Sequence, residues 1–428
     1  AATNGWNGTG TAANPYIIAN YDINGFNTGY CIRIMNTRVN FSIQNCSLHD
    51  ASGSGGPGPN GWSAALDLEN VMWGAVWNCT IARGQWWGLM IAGGTNGINV
   101  TDSTLSNIQN YGPVILWYTT NCRFSNVTVS NSWQAFYLVG SSYNRFEKLN
   151  LSNNIDNKFE MDSSSYNRVN NSDLSNGQST AIYIQRSSYN NFTNNLMTNI
   201  QSNKFNLWSS SFNNFSNNNC SYGQGGGVYM GDAYYNIIMN NDFTYNYVGL
   251  SMDNYYGETC SYNTISGNNF SYCNYGMETY CYNAAPTNNT ITNNDFSNNL
   301  YTAVQLRGQR NGNISNNRFC NNNGHGLYVW NMVNCNITNN TMPQNLNSFT
   351  VEASYYGTTT NNGTIHFFPL FAAGTWAGNG ASFSGTQLWN VTGNITINNG
   401  TMKIYGDAYN DTGTDGVMRN ISMEGHGQ

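Results

Sequence analysis

The chain has 428 residues, only 8% of them charged, and its formal net charge is −6. Its Lys and Arg residues are scattered and form no basic stripe, which argues against a nucleic-acid partner. Apolar residues never run for about 18 positions or more, so no transmembrane segment is predicted. The four histidines are far apart and no CxxC pair accompanies them, so neither a metal nor a cofactor is predicted.

Residues 1–30 are predicted to lead into the first repeat and to cap it. The chain opens with Ala1-Ala2-Thr3, which suits the mature side of a cleaved secretion signal. Roughly one residue in five or six is Asn, far above the usage of ordinary soluble proteins. Together these features predict an extracellular or cell-surface location.

Apolar residues of 31–356 return with a period of about 23 residues, which marks one supersecondary unit stacked on copies of itself. Each copy has a first core position, a second one five residues later, and a third segment that alternates inward and outward as a strand does. The first core position is occupied by Phe124, Phe146, Val169, Phe192, Phe215, Ile238, Ile265, Ile291, Ile314 and Ile337. Three short strands per copy predict an all-β fold, a parallel β-helix (solenoid) of about 14 coils.

Two further columns share this period. Asn tolerates the left-handed backbone of a sharp bend and can bond the same amide one coil away, so an Asn ladder is predicted. That column comprises Asn45, Asn78, Asn126, Asn171, Asn194, Asn217, Asn240, Asn293, Asn316 and Asn339. An aromatic column, predicted to stack, comprises Tyr143, Tyr166, Tyr189, Phe212, Tyr235 and Tyr262. Both columns are interpreted as structural, because their period is that of the fold.

The chain carries about 22 Asn-X-Ser/Thr sequons, and glycans on several of them would supply the solubility that charge does not. The alternative is that sequons arise by chance in a chain so rich in Asn, Ser and Thr. The predicted acceptors are Asn40, Asn99, Asn150, Asn191, Asn214, Asn269, Asn288, Asn313, Asn336, Asn362, Asn390, Asn394, Asn399, Asn410 and Asn420.

Ten cysteines in an exported chain suggest disulfides. Cys46 and Cys79 occupy equivalent places in their copies, so neighbouring coils would bring them within bridging distance. Cys260 and Cys281 lie in the two lengthened repeats and form a second candidate pair. Cys220 falls in a core column and is predicted to be a buried thiol.

The outward residues of the third strands are the place to look for a grafted site. Close acidic pairs on this face are Asp67 with Glu69 and Glu160 with Asp162, two apart on a strand and so roughly 7 Å apart on one side. Surface ion pairs explain such residues equally well, so no catalytic residue is predicted, and Glu160 and Asp162 are only weak candidates. Outward tyrosines, which can stack on sugars or bury against another subunit, are Tyr137, Tyr183, Tyr229 and Tyr328.

The segment Gly8-Thr9-Gly10-Thr11 through Asn14-Pro15-Tyr16-Ile17-Ile18, followed by Tyr21-Asp22-Ile23, looks like the start of archaeal proteins with pectin-lyase-like repeats. With the repeat itself, residues 8–345 resemble secreted right-handed parallel β-helix proteins of archaeal and bacterial surfaces. That resemblance implies a right-handed solenoid. Members of that group include polysaccharide lyases and epimerases, a copper-site maturation protein and surface proteins, so the resemblance leaves the function open.

Residues 357–428 depart from the repeat and are predicted as short strands between Gly and Asn turns. They form either a β-rich cap for the solenoid, which stacked repeats require, or a segment that docks on the next subunit by adding a strand. A head-to-tail contact of that kind would build a filament.

The predicted function is that of an extracellular glycosylated structural protein, a subunit of a surface layer, sheath or filament that self-associates through its ends and aromatic faces. Two alternatives are a carbohydrate-active enzyme (polysaccharide lyase or hydrolase) and a carbohydrate-binding adhesin. A groove lined by three or more carboxylates would favour the enzyme, whereas glycan binding without turnover would favour the adhesin.

Overall fold

The computed structural model describes residues 6–51, 64–254, 259–281, 285–330 and 335–341, and from residue 347 onward only the backbone of short strands. Within this part of the chain the fold is a parallel β-solenoid of about 13 turns, without a helix, so the predicted fold class is confirmed. The chain divides into unit 1, residues 1–206 with 212–214, and unit 2, residues 207–211 with 215–428.

Unit 1 consists of short strands separated by polar corners. Its strands are β1 (Tyr16–Ala19), β2 (Asp22–Asn24), β3 (Ile32–Thr37), β4 (Phe41–Gln44), β5 (Ser47–His49), β6 (Ala64–Val71), β7 (Gly74–Trp77), β8 (Thr80–Ala82), β9 (Trp87–Ala92), β10 (Asn99–Thr101), β11 (Thr104–Ser106), β12 (Gly112–Trp117), β13 (Arg123–Ser125), β14 (Thr128–Ser130), β15 (Phe136–Val139), β16 (Arg145–Glu147), β17 (Phe159–Asp162), β18 (Arg168–Asn170), β19 (Ile182–Gln185) and β20 (Asn191–Thr193). The next two strands, β21 (Phe205–Trp208) and β22 (Asn214–Ser216), have residues in both units.

Unit 2 continues with strands of similar length. They are β23 (Gly226–Gly231), β24 (Ile237–Met239), β25 (Val248–Asn254), β26 (Thr264–Ser266), β27 (Tyr275–Cys281), β28 (Thr290–Thr292), β29 (Val304–Arg307), β30 (Asn313–Ser315), β31 (His325–Trp330), β32 (Asn336–Thr341), β33 (Asn347–Glu352), β34 (Thr360–Asn361), β35 (Ile365–Phe368), β36 (Ser382–Ser384), β37 (Asn390–Val391), β38 (Ile395–Ile397) and β39 (Tyr405–Asp407).

Equivalent strands of successive coils pair in parallel and form long sheets. In unit 1 the first sheet runs β1-β4-β7-β10-β13-β16-β18-β20, the second β2-β5-β8-β11-β14, and the third β3-β6-β9-β12-β15-β17-β19. In unit 2 the first sheet includes β24-β26-β28-β30-β32-β35-β38, and the third includes β23-β25-β27-β29-β31-β33. Strands β35 and β38 thus carry the pairing into the C-terminal segment.

The predicted core columns point inward. Phe124, Phe146, Val169 and Phe192 are partners along the first sheet of unit 1 and are wholly buried. Rings of adjacent coils stack on one another, as Phe124 and Phe146 do at a centroid distance of 5.3 Å. Burial of a Phe side chain contributes about 2–3 kcal/mol, so repetition of this contact holds the coils together.

The predicted Asn column is confirmed as a row of bends but not as a continuous ladder. Asn126, Asn171 and Asn194 have φ of 55°, 52° and 55°, and each lies at a corner outside the core. Side-chain hydrogen bonds between such residues join Asn45 to Asn20 and Asn78 to Asn45. The longer ladder belongs to other Asn residues, which point inward.

Candidate functional site

A groove with a volume of about 490 Å³ lies on the surface of unit 1. Equivalent residues of successive coils line it, so it crosses the coils along the solenoid. Its lining residues are Asn99, Asn121, Cys122, Arg123, Tyr143, Arg145, Tyr166, Arg168 and Tyr189. Three tyrosines and three arginines are among them, so the groove offers both phenol hydroxyl groups and guanidinium groups to a ligand.

The local sequence explains this lining. Residues 141–145 and 164–168 both read Ser-Ser-Tyr-Asn-Arg. Tyr143 adopts a φ of 61° and makes the bend, after which the backbone is extended. Asn144 is therefore buried while Arg145 points outward, ahead of buried Phe146. Each of these two coils presents one tyrosine and one arginine to the groove.

The tyrosines form the stacked column that the sequence predicts. Rings of Tyr143, Tyr166, Tyr189 and Phe212 follow one another at centroid distances of 4.8 Å, with planes within 4° of parallel. Each ring is about half exposed. Because the faces of neighbouring rings cover one another, the groove receives mainly ring edges and the tyrosine hydroxyls.

A ladder of buried Asn side chains fixes these bends from inside. Asn144, Asn167 and Asn190 donate their backbone N–H to the side-chain oxygen of the equivalent Asn one coil later, at 2.8–2.9 Å. The amide of Asn167 donates in turn to the carbonyl of Ser141 at 2.9 Å. Every bend is thereby bonded to the coil before and the coil after, and the tyrosine and arginine beside it keep their positions.

The arginines form a row that the sequence reasoning missed. Arg123 pairs in register with Arg145, and Arg145 with Arg168, so the three side chains stand side by side on the outer face of the first sheet. The prediction that basic residues are scattered is wrong here. A signal was available, since each arginine directly precedes a first core position and the position beside an inward residue must point outward.

The row is only partly neutralised. Arg123 donates to Glu147 from Nε at 3.1 Å and also from Nη2. This pairing lowers the pKa of Glu147. Among the residues that the structure describes, Arg145 and Arg168 have no ion-pair partner within 4.0 Å. Two guanidinium groups one coil apart are thus available to an anionic ligand.

The weak catalytic candidates Glu160 and Asp162 lie on the outer face of the third sheet and are engaged with other groups. Asp162 accepts two bonds from Arg186 Nη2 at 2.6 and 2.7 Å. Glu160 accepts from Gln134 at 2.8 Å and from Asn157 at 3.3 Å. Burial raises the pKa of Glu160 despite these bonds. Asp162 therefore forms an ion pair with Arg186, and Glu160 beside it accepts hydrogen bonds from two side-chain amides.

The second acidic pair belongs to a buried ion cluster on the same sheet. Arg33 Nε lies 2.9 Å from Asp67, and Arg33 Nη2 lies 2.7 Å from Glu69. Asp67 is 1% exposed, and burial raises its pKa to about 6. Because each charge of this cluster has an opposite charge beside it, we interpret it as structural.

The structure confirms one of the predictions about cysteines. Cys220 is buried, as predicted. Cys46 and Cys79 follow strand positions Ile43 and Val76, which are partners on adjacent coils, but both are free thiols here. Cys260 is buried, whereas the side chain of Cys281 lies outside the described residues. Both disulfides stay predictions.

The predicted glycosylation sites are exposed or half-buried wherever their side chains are described. None of these nine is buried: Asn40, Asn99, Asn150, Asn191, Asn214, Asn269, Asn288, Asn313 and Asn336. The side chains of Asn362, Asn390, Asn394, Asn399, Asn410 and Asn420 lie outside the described residues. Which sequons carry glycan stays a prediction.

The described residues offer neither a metal site nor a membrane-spanning helix. They contain no group of three or more His, Cys, Asp or Glu side chains placed to hold a metal ion. They also contain no helix with the length and hydrophobicity needed to cross a membrane.

Comparison with known proteins identifies a family. The model of the right-handed beta helix region matches residues 64–219, 161–311 and 258–420. No curated protein matches the chain. Among solved structures, the A-module of mannuronan C-5 epimerase AlgE4 from Azotobacter vinelandii is 14% identical, with a TM-score of 0.41, over 86% of this chain and 91% of that one. The tailspike protein of E. coli bacteriophage HK620, in complex with a pentasaccharide, is 11% identical with a TM-score of 0.44, over 89% and 72%.

Proposed function

The chain belongs to the family of the right-handed beta helix region, and we propose that it is an extracellular protein that binds acidic polysaccharide in the groove of unit 1. One observation carries this proposal. A row of arginines and a column of tyrosines, both with the repeat of the solenoid, line the same groove. A site that repeats from coil to coil suits a ligand that repeats along its chain.

The charge of the groove selects an anionic ligand. Arg145 and Arg168 are exposed, and a guanidinium group binds a carboxylate or sulfate through two parallel N–H donors. Their strands are neighbours, so the two side chains start about 4.8 Å apart. With a net charge of −6, the protein as a whole does not attract polyanions, and the local row must supply the binding.

The tyrosine column selects a hydroxyl-rich ligand over a nucleic acid. Proteins that bind single strands stack bases on exposed aromatic faces. Here the rings of Tyr143, Tyr166 and Tyr189 are 4.8 Å apart and face one another, which leaves no space for a base between them. Their hydroxyl groups, in contrast, can donate to and accept from sugar hydroxyls.

Binding rather than turnover is the activity that fits this groove. Its nine lining residues include no carboxylate and no imidazole, the side chains that most often transfer protons in glycan cleavage. The acidic groups of the third sheet, Glu160 and Asp162, are already bonded to amides and to Arg186. Self-association into a layer, sheath or filament stays a prediction, since most of residues 357–428 lie outside the described part of the chain.

The proposed location follows from composition and accessible sequons. Few charges, abundant Asn and nine predicted acceptors that are exposed or half-buried fit a glycosylated protein outside the cell. Acidic polysaccharides of cell walls and capsules are encountered there. Mass spectrometry of the native protein, showing a cleaved leader and attached glycan, would support this location, and an unmodified cytoplasmic protein would contradict it.

Isothermal titration calorimetry tests the binding proposal. The protein is titrated with polygalacturonate, neutral dextran and single-stranded DNA, and the double variant Arg145→Gln/Arg168→Gln is compared with Arg318→Gln. Arg318, likewise exposed, lies in unit 2 beside Asp295 and is the matched control. We expect polygalacturonate alone to bind, and the double variant to lose at least about tenfold in affinity, or 1.4 kcal/mol. Equal binding of all three polymers, or equal affinities of the two variants, would refute the proposal.

A further inference from the structure

The arginine row is bounded at both ends by sequon asparagines. Along the first sheet, Asn99 pairs in register with Arg123, and Arg168 pairs with Asn191. The order of outward side chains across five neighbouring strands is therefore Asn99, Arg123, Arg145, Arg168 and Asn191. Asn99 belongs to the sequon Asn-Val-Thr and Asn191 to the sequon Asn-Phe-Thr. Both acceptors share the face on which the ligand would lie.

Neither asparagine is buried. Asn99 is exposed and is itself one of the residues that line the groove. Asn191 is half-buried, with its side-chain oxygen accepting from Asn214 at 3.3 Å. In each sequon the intervening residue, Val100 or Phe192, is buried in the core. A glycan on either asparagine would project outward beside the arginines.

We propose that N-linked glycans on Asn99 and Asn191 close the two ends of the groove and limit the length of polysaccharide that it can hold. The inference rests on the proposed function. Four coil steps separate the two asparagines, or about 19 Å at the strand spacing of a sheet. A bulky glycan at each end leaves only the three arginine coils open. Short acidic oligosaccharides then fit, and a long polymer does not.

The test compares glycosylated and unglycosylated protein. The chain is produced in a host that attaches N-glycans and in one that does not, and mass spectrometry of proteolytic peptides measures the occupancy of each sequon. Thr101→Val and Thr193→Val remove the two sequons while they keep both asparagines and the β-branched shape of the strand residues. Ser152→Ala removes the sequon of Asn150, an exposed acceptor outside the row, and is the matched control.

Affinities for long polygalacturonate and for a trigalacturonate are measured by calorimetry. We expect glycosylated wild type to bind the long polymer at least about tenfold more weakly than unglycosylated protein, with trigalacturonate affinities within about twofold. The Thr101→Val/Thr193→Val variant should regain long-polymer binding, and Ser152→Ala should not.

Two results would overturn this inference alone. One is a peptide analysis that shows no glycan on Asn99 and Asn191. The other is long-polymer affinity that stays the same when both sequons are removed. If the unglycosylated protein binds neither ligand, the proposed function itself is wrong, and the inference is overturned with it.

Discussion

Replacement of one buried asparagine tests how the groove is held. Asn167 is wholly buried, and its side chain bonds three groups: the backbone N–H of Asn144 at 2.9 Å, the amide of Asn144 at 3.1 Å, and the carbonyl of Ser141 at 2.9 Å. Asn167→Leu keeps the number and branching of the side-chain heavy atoms and is larger, so no space for a replacement water opens. The two backbone groups then lack partners in a buried environment.

The expected cost is worked from those two backbone groups; the side-chain amide of Asn144 loses its acceptor as well and adds to it. An unsatisfied buried donor or acceptor costs about 1–3 kcal/mol, so Asn167→Leu should lower the free energy of unfolding by about 2–6 kcal/mol. The control is Asn171→Gly at an exposed bend of the same coil, where φ is 52° and glycine fits without strain. That control should change stability by less than about 0.5 kcal/mol. Urea unfolding followed by circular dichroism measures both, and equal stabilities of the two variants would refute the ladder's role.

Three further predictions concern charge. Glu147→Gln frees Arg123, so polygalacturonate should bind about two- to fivefold more tightly in calorimetry; unchanged affinity would show that this ion pair does not restrict the site. Burial lowers the pKa of Lys158 to about 8 from 10.5, so the unfolded chain binds more protons between these values and stability should rise with pH across that window. Burial raises the pKa of Asp67 to about 6 from 3.8, so stability should fall as pH rises from about 4 to 6. Urea unfolding at a series of pH values measures both dependences. Lys158→Met should abolish the rise of stability between about pH 8 and 10.5, and Asp67→Asn the fall between about pH 4 and 6. A pH dependence that persists in the variant would show that the residue is not its cause.

Apolar periodicity was enough to predict the fold. A residue that recurs once per coil, such as Phe124, Phe146 and Val169, must lie in one column, because parallel pairing places equivalent positions side by side. The same logic predicted the stacked tyrosines and the outward row of the third sheet, where Tyr137, Glu160 and Tyr183 are partners.

Polar contacts across coils could not be read in the same way. The ladder was predicted at the exposed bends, such as Asn126 and Asn171, whereas the longer ladder runs through buried residues such as Asn144 and Asn167. The period of the repeat locates a bend, but it does not say which residue beside the bend points inward. Arg123, Arg145 and Arg168 were not predicted as a row, because the sequence prediction considered only the outward residues of the third sheet, and these arginines lie on the first. Bonds such as Gln134 to Glu160 join residues that are close only after the coils stack.

A crystal structure of the protein with a bound galacturonate oligosaccharide tests the central claim most directly. We predict carboxylates of the ligand within about 3 Å of the guanidinium groups of Arg145 and Arg168, and sugar hydroxyls beside the hydroxyls of Tyr143 and Tyr166. An oligosaccharide bound beside Glu160 on the third sheet, with the groove of unit 1 empty, would contradict it.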